Sequence, residues 1–501
     1  MDVLINDKKK QLIIGAVVLL LCFYSAIANS YTNDNNTATN DALINQLPTT
    51  TSCPGYQNIS NKPFSILACF AATLGNNRTN QTLIRDAYRQ FHALNWPVDG
   101  DTIGLPNYAL KSSEQADTFP VWQSWPTTHQ VKYTDIKNWD ENDFTIPASC
   151  GYLFEKTSQG KGSKYTDFIK QYPTVPRGPK IEVLTNAVNP QNDIVVDINA
   201  QAVRYQVYMN KPAFEFSKGL SSSVTDDINY PVAKGVSEQY GITQSAVRGA
   251  IFIKAAWKVL QPEEFAHYHK SFAVVTSETA DGMEICELNV VGLSAMHIVN
   301  KNNPKNIGSP GSRANETNKW SWATYEFVGN APSYTFTEDG IEELTENSIK
   351  PTLGNSWAFF KQDWTGLRKM CVNEKGLWQQ SLSSCPINKN GCGKEEPCEK
   401  STIVLHPSEQ DVKNLTSYNN ATMRELKNSV WKNYRIINNQ WSDMGYVKPE
   451  KLENPILEAF GEKRTSCSGC HKRANKAKFN DFIFSARIKD VFTGTKINLS
   501  K

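Results

Sequence analysis

The pentapeptide Cys467-Ser468-Gly469-Cys470-His471 holds the residues of this chain whose types and spacing are best suited to chemistry. Two thiols separated by two residues, followed at once by an imidazole, can add across the two vinyl groups of a porphyrin while the same turn brings the imidazole beneath the iron. With 11 cysteines and 7 histidines in 501 residues, composition would produce this pattern about 0.003 times per chain, so coincidence is a poor explanation. A thioredoxin-like dithiol belongs between a strand and a helix in a βαβ context, which the flanking sequence lacks. A zinc site needs two further ligands, and nothing after His471 supplies them. An ordinary disulfide is the remaining alternative. The expectation is one covalent haem c, with Cys467 and Cys470 as the thioether links and His471 as the proximal iron ligand.

The sixth iron position is harder to assign. Residues Lys472 to Lys501 contain neither Met nor His, so a distal ligand must come from upstream or the iron is five-coordinate. His297, Met444, Met423 and His406 are the candidates. Strand alternation in Val291-Gly292-Leu293-Ser294-Ala295-Met296-His297-Ile298-Val299 puts His297 on the side of Val291, Leu293 and Val299, facing the interior. That placement also suits a core histidine satisfied by a hydrogen bond. Met444 sits between Asp443 and Gly445, in a loop context. Glu263, Glu264, His267 and His269 form a polar cluster without diagnostic metal spacing, better read as a strand or turn surface. Lys463, Arg464, Lys472, Arg473, Lys476 and Lys478 crowd both sides of the motif, either as a solvated face or as a basic collar that steers an acidic redox partner protein.

The N-terminus bears on where this chemistry takes place. Lys8, Lys9 and Lys10 precede an uncharged apolar run of about 16 residues from Leu12 to Ile27, closing on Ala26-Ile27-Ala28. That is the pattern of a secretory signal cleaved after Ala28, and the run is shorter than the roughly 20 residues an untilted membrane helix needs. An uncleaved N-terminal anchor facing the periplasm is the alternative. Leu21 is too bulky to precede a lipidated Cys22. Export implies a periplasmic, oxidising compartment, in which Cys53, Cys69, Cys150, Cys286, Cys371, Cys385, Cys392 and Cys398 form an even set able to make disulfides of unread connectivity. The 53 basic and 50 acidic residues give a net charge of +3, which supplies no field for binding nucleic acid. No second long apolar stretch follows, so no stable membrane span is expected once the signal is removed.

The elements that must position the motif divide into segments. Residues 1–28 are the signal, 29–52 a polar leader, 53–400 a β-rich α+β domain and 401–501 a helical haem-attachment region. From Thr79 to Leu94, Ile84, Ala87, Phe91 and Leu94 recur at helical intervals, and Asn95-Trp96-Pro97 ends the helix. Ile194–Asp197 and Val203–Met209 read as a hairpin-like pair; Gly249–Trp257, Phe272–Thr276, Ile285–Val299 and Trp320–Val328 read as further strands of an antiparallel sheet or sandwich. Met423, Leu426, Val430, Trp431 and Tyr434 take helical spacing, and a second short helix is expected from Pro455 to Phe460. The fold class is α+β: an antiparallel β-rich main domain with flanking helices and a helical C-terminal region.

Phe91-His92-Ala93-Leu94-Asn95-Trp96-Pro97, Arg204-Tyr205-Gln206-Val207-Tyr208-Met209-Asn210, Gly249-Ala250-Ile251 with Lys254-Ala255-Ala256-Trp257-Lys258, His297-Ile298-Val299 and Trp320-Ser321-Trp322-Ala323-Thr324-Tyr325-Glu326 stand together with the late C-x-x-C-H. In these stretches the mature chain resembles uncharacterised bacterial exported proteins grouped as the cytochrome c family, with a single C-x-x-C-H behind a long non-cytochrome region. The resemblance implies an exported haem protein and transfers neither a substrate nor an axial ligand. One-electron transfer is the leading expectation, so the chain is read as a carrier rather than an enzyme. A haem enzyme or small-ligand sensor, peroxidase-like or gas-binding, is the rival. An envelope binding protein with a structural haem is a third class, which exposed Trp in the sheet loops would favour and burial would disfavour.

Overall fold

A computed structural model describes residues chiefly in 87–104, 118–130, 144–156, 162–185, 195–199, 201–219, 250–278, 284–301, 320–331 and 426–443, with shorter pieces that include 456–457, 471 and 494–497. All of them lie in one compact unit, Thr50–Lys501. Its frame is an eight-stranded sheet. In chain order the strands are β1 Glu182–Leu184, β2 Arg204–Met209, β3 Ile251–Val259, β4 Lys270–Glu278, β5 Glu284–Lys301, β6 Trp320–Phe327, β7 Tyr434–Asp443 and β8 Tyr446–Lys448. The spatial order is β8-β7-β6-β5-β3-β2, antiparallel throughout, with β4 also pairing β5 and β1 joining β4 in parallel. The α+β, β-rich expectation therefore holds for the main domain.

β5 is the spine. Its 18 residues serve three partners, with Glu284–Gly292 along β4, Val291–Asn300 along β3 and Ala295–Lys301 along β6. The register with β3 passes from Ala256 opposite Ala295 to Trp257 opposite Leu293, so Ser294 is an extra residue on β5. Such a bulge bends the strand and inverts its alternation. The Ser294 carbonyl accepts a hydrogen bond from Asn330 Nδ2 at 2.8 Å. Val291 and Leu293 consequently join Met296 and Ile298 in the main core, while His297 and Val299 face the other side of the sheet. The expectation that His297 shares a side with Val291 and Leu293 is corrected by that one inserted residue; its partnership with Val299 stands.

The main core lies on the first face, among Trp122, Trp257, Met296, Ile298, Tyr325 and Trp431. Residues 87, 88 and 90–94 are helical, and the chain leaves the helix through Asn95 and Trp96 to a bridge between Pro97 and Pro120, where the sequence places the stop. Phe91 stacks on Tyr325 with centroids 4.4 Å apart, and the Tyr325 hydroxyl donates to the Ala87 carbonyl at 2.6 Å. Full burial of a side chain such as Phe91 contributes roughly 1.5–3 kcal/mol. The helix Lys164–Gln171 is capped by Ser163, whose side chain accepts from the Thr166 N–H. Of the hairpin-like pair expected over Ile194–Asp197 and Val203–Met209, only an isolated bridge between Val196 and Ala202 and a Val203 N–H to Val195 carbonyl hydrogen bond at 2.8 Å are formed, while Arg204–Met209 pairs with β3.

The expected helix through residues 423–434 is corrected from Leu426 onward, although Arg424 is helical. Leu426 to Asn428 form a turn, Val430–Asn433 a short 3₁₀ segment capped by Ser429, and Tyr434 opens β7. Ile456 and Leu457 form a turn; the rest of the helix expected over Pro455 to Phe460 lies outside the described residues. Among the described residues no helix is long and apolar enough to cross a membrane.

Candidate functional site

The second face of the sheet carries the candidate site. Two apolar clusters sit on it, one of Met209, Phe214, Phe252, Val299, Trp320, Trp322 and Ile437, the other of Val195, Val203, Tyr205, Ala256, Ala295, Ile456 and Leu457. Between them, at successive register positions across β2, β3, β5 and β6, stand Val207, Lys254, His297 and Thr324. His297 is buried, and its Nδ1 lies 2.9 Å from Thr324 Oγ1. Thr324 is directly opposite His297 on β6, so the strand pairing itself produces this contact.

The C-terminal region returns to this face. The Tyr205 hydroxyl donates to the Ile456 carbonyl at 2.8 Å, and Lys254 Nζ donates to the Leu457 carbonyl at 3.1 Å. His471, half-buried, packs its ring on Trp322 with centroids 5.7 Å apart. Trp322 stands opposite Val299, two residues along β5 from His297. Diagonal neighbours of this kind have Cα atoms about 7–8 Å apart. The structure thus brings two of the sequence-derived site residues, His471 and His297, to one neighbourhood. Cys467, Cys470, Met423, Met444, His406 and the six basic residues around the motif lie outside the described residues.

Trp322 and Thr324 were not among the sequence candidates. The signal was the alternation Trp320, Trp322, Thr324 in a strand, which places all three on one side, but nothing local says that His471 meets Trp322. The Trp322 indole N–H is buried with no hydrogen-bond partner. Leaving such a donor unsatisfied costs about 1–3 kcal/mol. A haem suits this surface twice over, since its macrocycle is a planar apolar group for an aromatic wall and its carboxylates are acceptors for an orphaned indole donor.

A second polar cluster lies on the first face. His269 Nε2 is 2.7 Å from Gln123 Oε1, Gln123 Nε2 donates to Glu182 Oε1 at 2.9 Å, and the Tyr208 hydroxyl donates to Glu182 Oε2. Lys180 Nζ lies 4.7 Å from the Tyr208 ring centroid. Burial pushes the Glu182 carboxyl up, opposed by Lys180, and pushes the Lys180 amine down to about 8. Burial, with Lys270 nearby, holds the His269 imidazole down to about 3. Trp257 and Trp431 enclose the His269 ring. This network is sealed and fully buried, which suits a structural role. Glu264 is engaged by Lys258, which also pairs with Asp197 at 3.0 Å, so the Glu263, Glu264, His267 and His269 cluster read in the sequence is divided between separate contacts. Among the described residues no group of three or more His, Cys, Asp or Glu is placed to hold a metal ion.

No protein-family model, no curated protein and no solved structure matches the chain.

Proposed function

We propose that the chain is an exported, periplasmic c-type cytochrome that carries one haem, bound through Cys467 and Cys470 with His471 as proximal iron ligand, and exchanges single electrons with a redox partner protein. The observation that carries this reading is the C-x-x-C-H motif whose histidine is set on the aromatic wall at Trp322. A helical haem-attachment region spanning 401–501 remains part of the proposal, with the strands β7, β8 and Gly494–Ile497 removed from it. When bound, the haem supplies the one-electron couple. The chain's own residues orient His471, cover one side of the group with Trp322 and exclude water through the surrounding apolar cluster. The disulfide between Cys150 and Cys286 accords with folding outside the cytoplasm. Every tryptophan whose burial is described is buried or half-buried, which disfavours a binding protein that uses exposed indoles.

The test is expression of the full chain in a host competent for cytochrome maturation. A denaturing gel should show haem-dependent peroxidase stain at the mass of the processed chain, and a Cys467→Ser, Cys470→Ser variant should lose it. An unstained wild-type band with a mass matching the bare polypeptide would overturn the proposal.

A further inference from the structure

We infer that His297 is the sixth ligand of the iron, making this a bis-histidine cytochrome whose distal ligand is built into the central strand of the sheet. The inference rests on the haem reading above and adds to it the ligand that the motif cannot supply.

Four observations converge on His297. The inserted residue Ser294 turns His297 away from the main core and onto the face where His471 lies. The neighbour that touches His471, Trp322, is one strand across from His297 and displaced by one side-chain repeat on the same face. The ring is held by Thr324 through Nδ1, and iron-binding histidines usually fix their orientation through the ring nitrogen that does not bind the metal. When Nδ1 donates to Thr324 Oγ1, the neutral imidazole carries its lone pair on Nε2, the form that ligates iron. Finally, the turn at Ile456 and Leu457 is tied to Tyr205 and Lys254 on the same face, and Lys254 is directly opposite His297 on β3. The approach to the motif is therefore anchored beside the proposed ligand.

A ligand on a central strand differs physically from a methionine in a loop. β5 is paired along its length, so His297 is positioned by the sheet and cannot swing away without breaking ladder hydrogen bonds. This predicts an iron that stays six-coordinate and low-spin in both oxidation states and leaves no open position for carbon monoxide. It separates a carrier from the rival haem enzyme or gas sensor, which needs an open distal site.

The experiment uses the full-length haem-loaded protein. Wild type should show a low-spin absorption spectrum unaltered by carbon monoxide after reduction. His297→Ala should become high-spin and bind carbon monoxide, and added imidazole should restore the low-spin spectrum. His297→Met should remain low-spin with altered band positions. If His297→Ala fails to accumulate, wild type and His406→Ala grown on ¹⁵N-histidine and read by electron–nuclear double resonance decide instead: two imidazole nitrogens on iron in both support the inference, and one in either overturns it. A His297→Ala spectrum identical to wild type also overturns it, as does a wild-type iron that is high-spin and binds carbon monoxide. Those results arise on a chain that still stains for haem, whereas an unstained chain overturns the cytochrome reading itself.

Discussion

An imidazole buried without a negative partner can stay inside the fold only while it is neutral. His269 is in that position: it is fully buried, hydrogen-bonded to Gln123 and stacked on Trp431 with centroids 4.5 Å apart. Burial holds its folded-state value down to about 3, against an unperturbed value near 6.5. Because the folded value is depressed, the stability this group contributes is present above about pH 6.5 and is lost as pH falls from there towards 3. The loss is on the order of 5 kcal/mol across that window. Glu182 works in the opposite sense. Its folded-state value is raised, so the native state holds the proton more tightly and stability declines as pH rises through that carboxyl's range. His269→Gln keeps a hydrogen-bonding group for Gln123 and removes the basic site together with the ring's packing on Trp257 and Trp431. Urea midpoints measured from pH 7 to pH 4 should fall less steeply for this variant than for wild type, with a pH-independent offset of about 1–3 kcal/mol for the lost ring packing. Parallel curves would mean that His269 is protonated in the native state at little cost.

Between elements, the Cys150–Cys286 bond joins the 3₁₀ segment Ala148–Leu153 to the start of β5 and closes a loop across a sequence separation of 136 residues. In the chain-entropy picture a loop of that size is worth about 5 kcal/mol. Cys150→Ser with Cys286→Ser should lower the urea midpoint by the corresponding amount, and reductant should lower that of wild type by at least as much. An unchanged midpoint would show that the unfolded chain is already restrained in other ways. Strands β2 to β6 were legible because β-branched and aromatic residues alternate along them, and they fall within a few residues of the runs that predict them. The strands β1, β7 and β8 were not read, and two features show why. At residues 423–434 the apolar spacing is real, since Leu426, Val430, Trp431 and Tyr434 all reach the main core, but a turn and a 3₁₀ segment deliver them there as well as a helix would. Just beyond, Ile436 and Ile437 are both buried, in clusters on opposite faces, which requires a strand with apolar contacts on each side. The bulge at Ser294 was equally hidden, because one extra residue leaves the composition of a strand unchanged while reversing which half faces the core.

At the scale of the whole molecule, the sequence located the C-x-x-C-H motif by spacing alone and nominated His297 among four proposed ligands, yet it carried no sign that His471 packs on Trp322, a diagonal neighbour of His297. The contacts responsible join residues far apart in the chain, such as Tyr205 and Ile456 across 251 positions, and no local period encodes them. The motif lies between two anchors. One is the Ile456–Leu457 turn on the second face; the other is the strand Gly494–Ile497, paired antiparallel with Phe144–Pro147 beside the disulfide-bearing segment. Haem attachment needs only the thiols and the following imidazole, whereas tail docking needs the sheet. Removing the first anchor should therefore separate these properties. Tyr205→Phe with Lys254→Met deletes the donors to the Ile456 and Leu457 carbonyls and keeps the side-chain volumes. At about 1 kcal/mol for each net hydrogen bond, the open population of the tail should rise about thirtyfold. When opening is fast relative to cleavage, protease attack tracks that population. Limited proteolysis should release a haem-stained C-terminal fragment about thirtyfold faster than in wild type, while the stain per chain and the far-ultraviolet circular dichroism remain the same. An unchanged cleavage rate would assign the holding of the tail to the pairing of Gly494–Ile497 with Phe144–Pro147, because that contact would then dominate the opening.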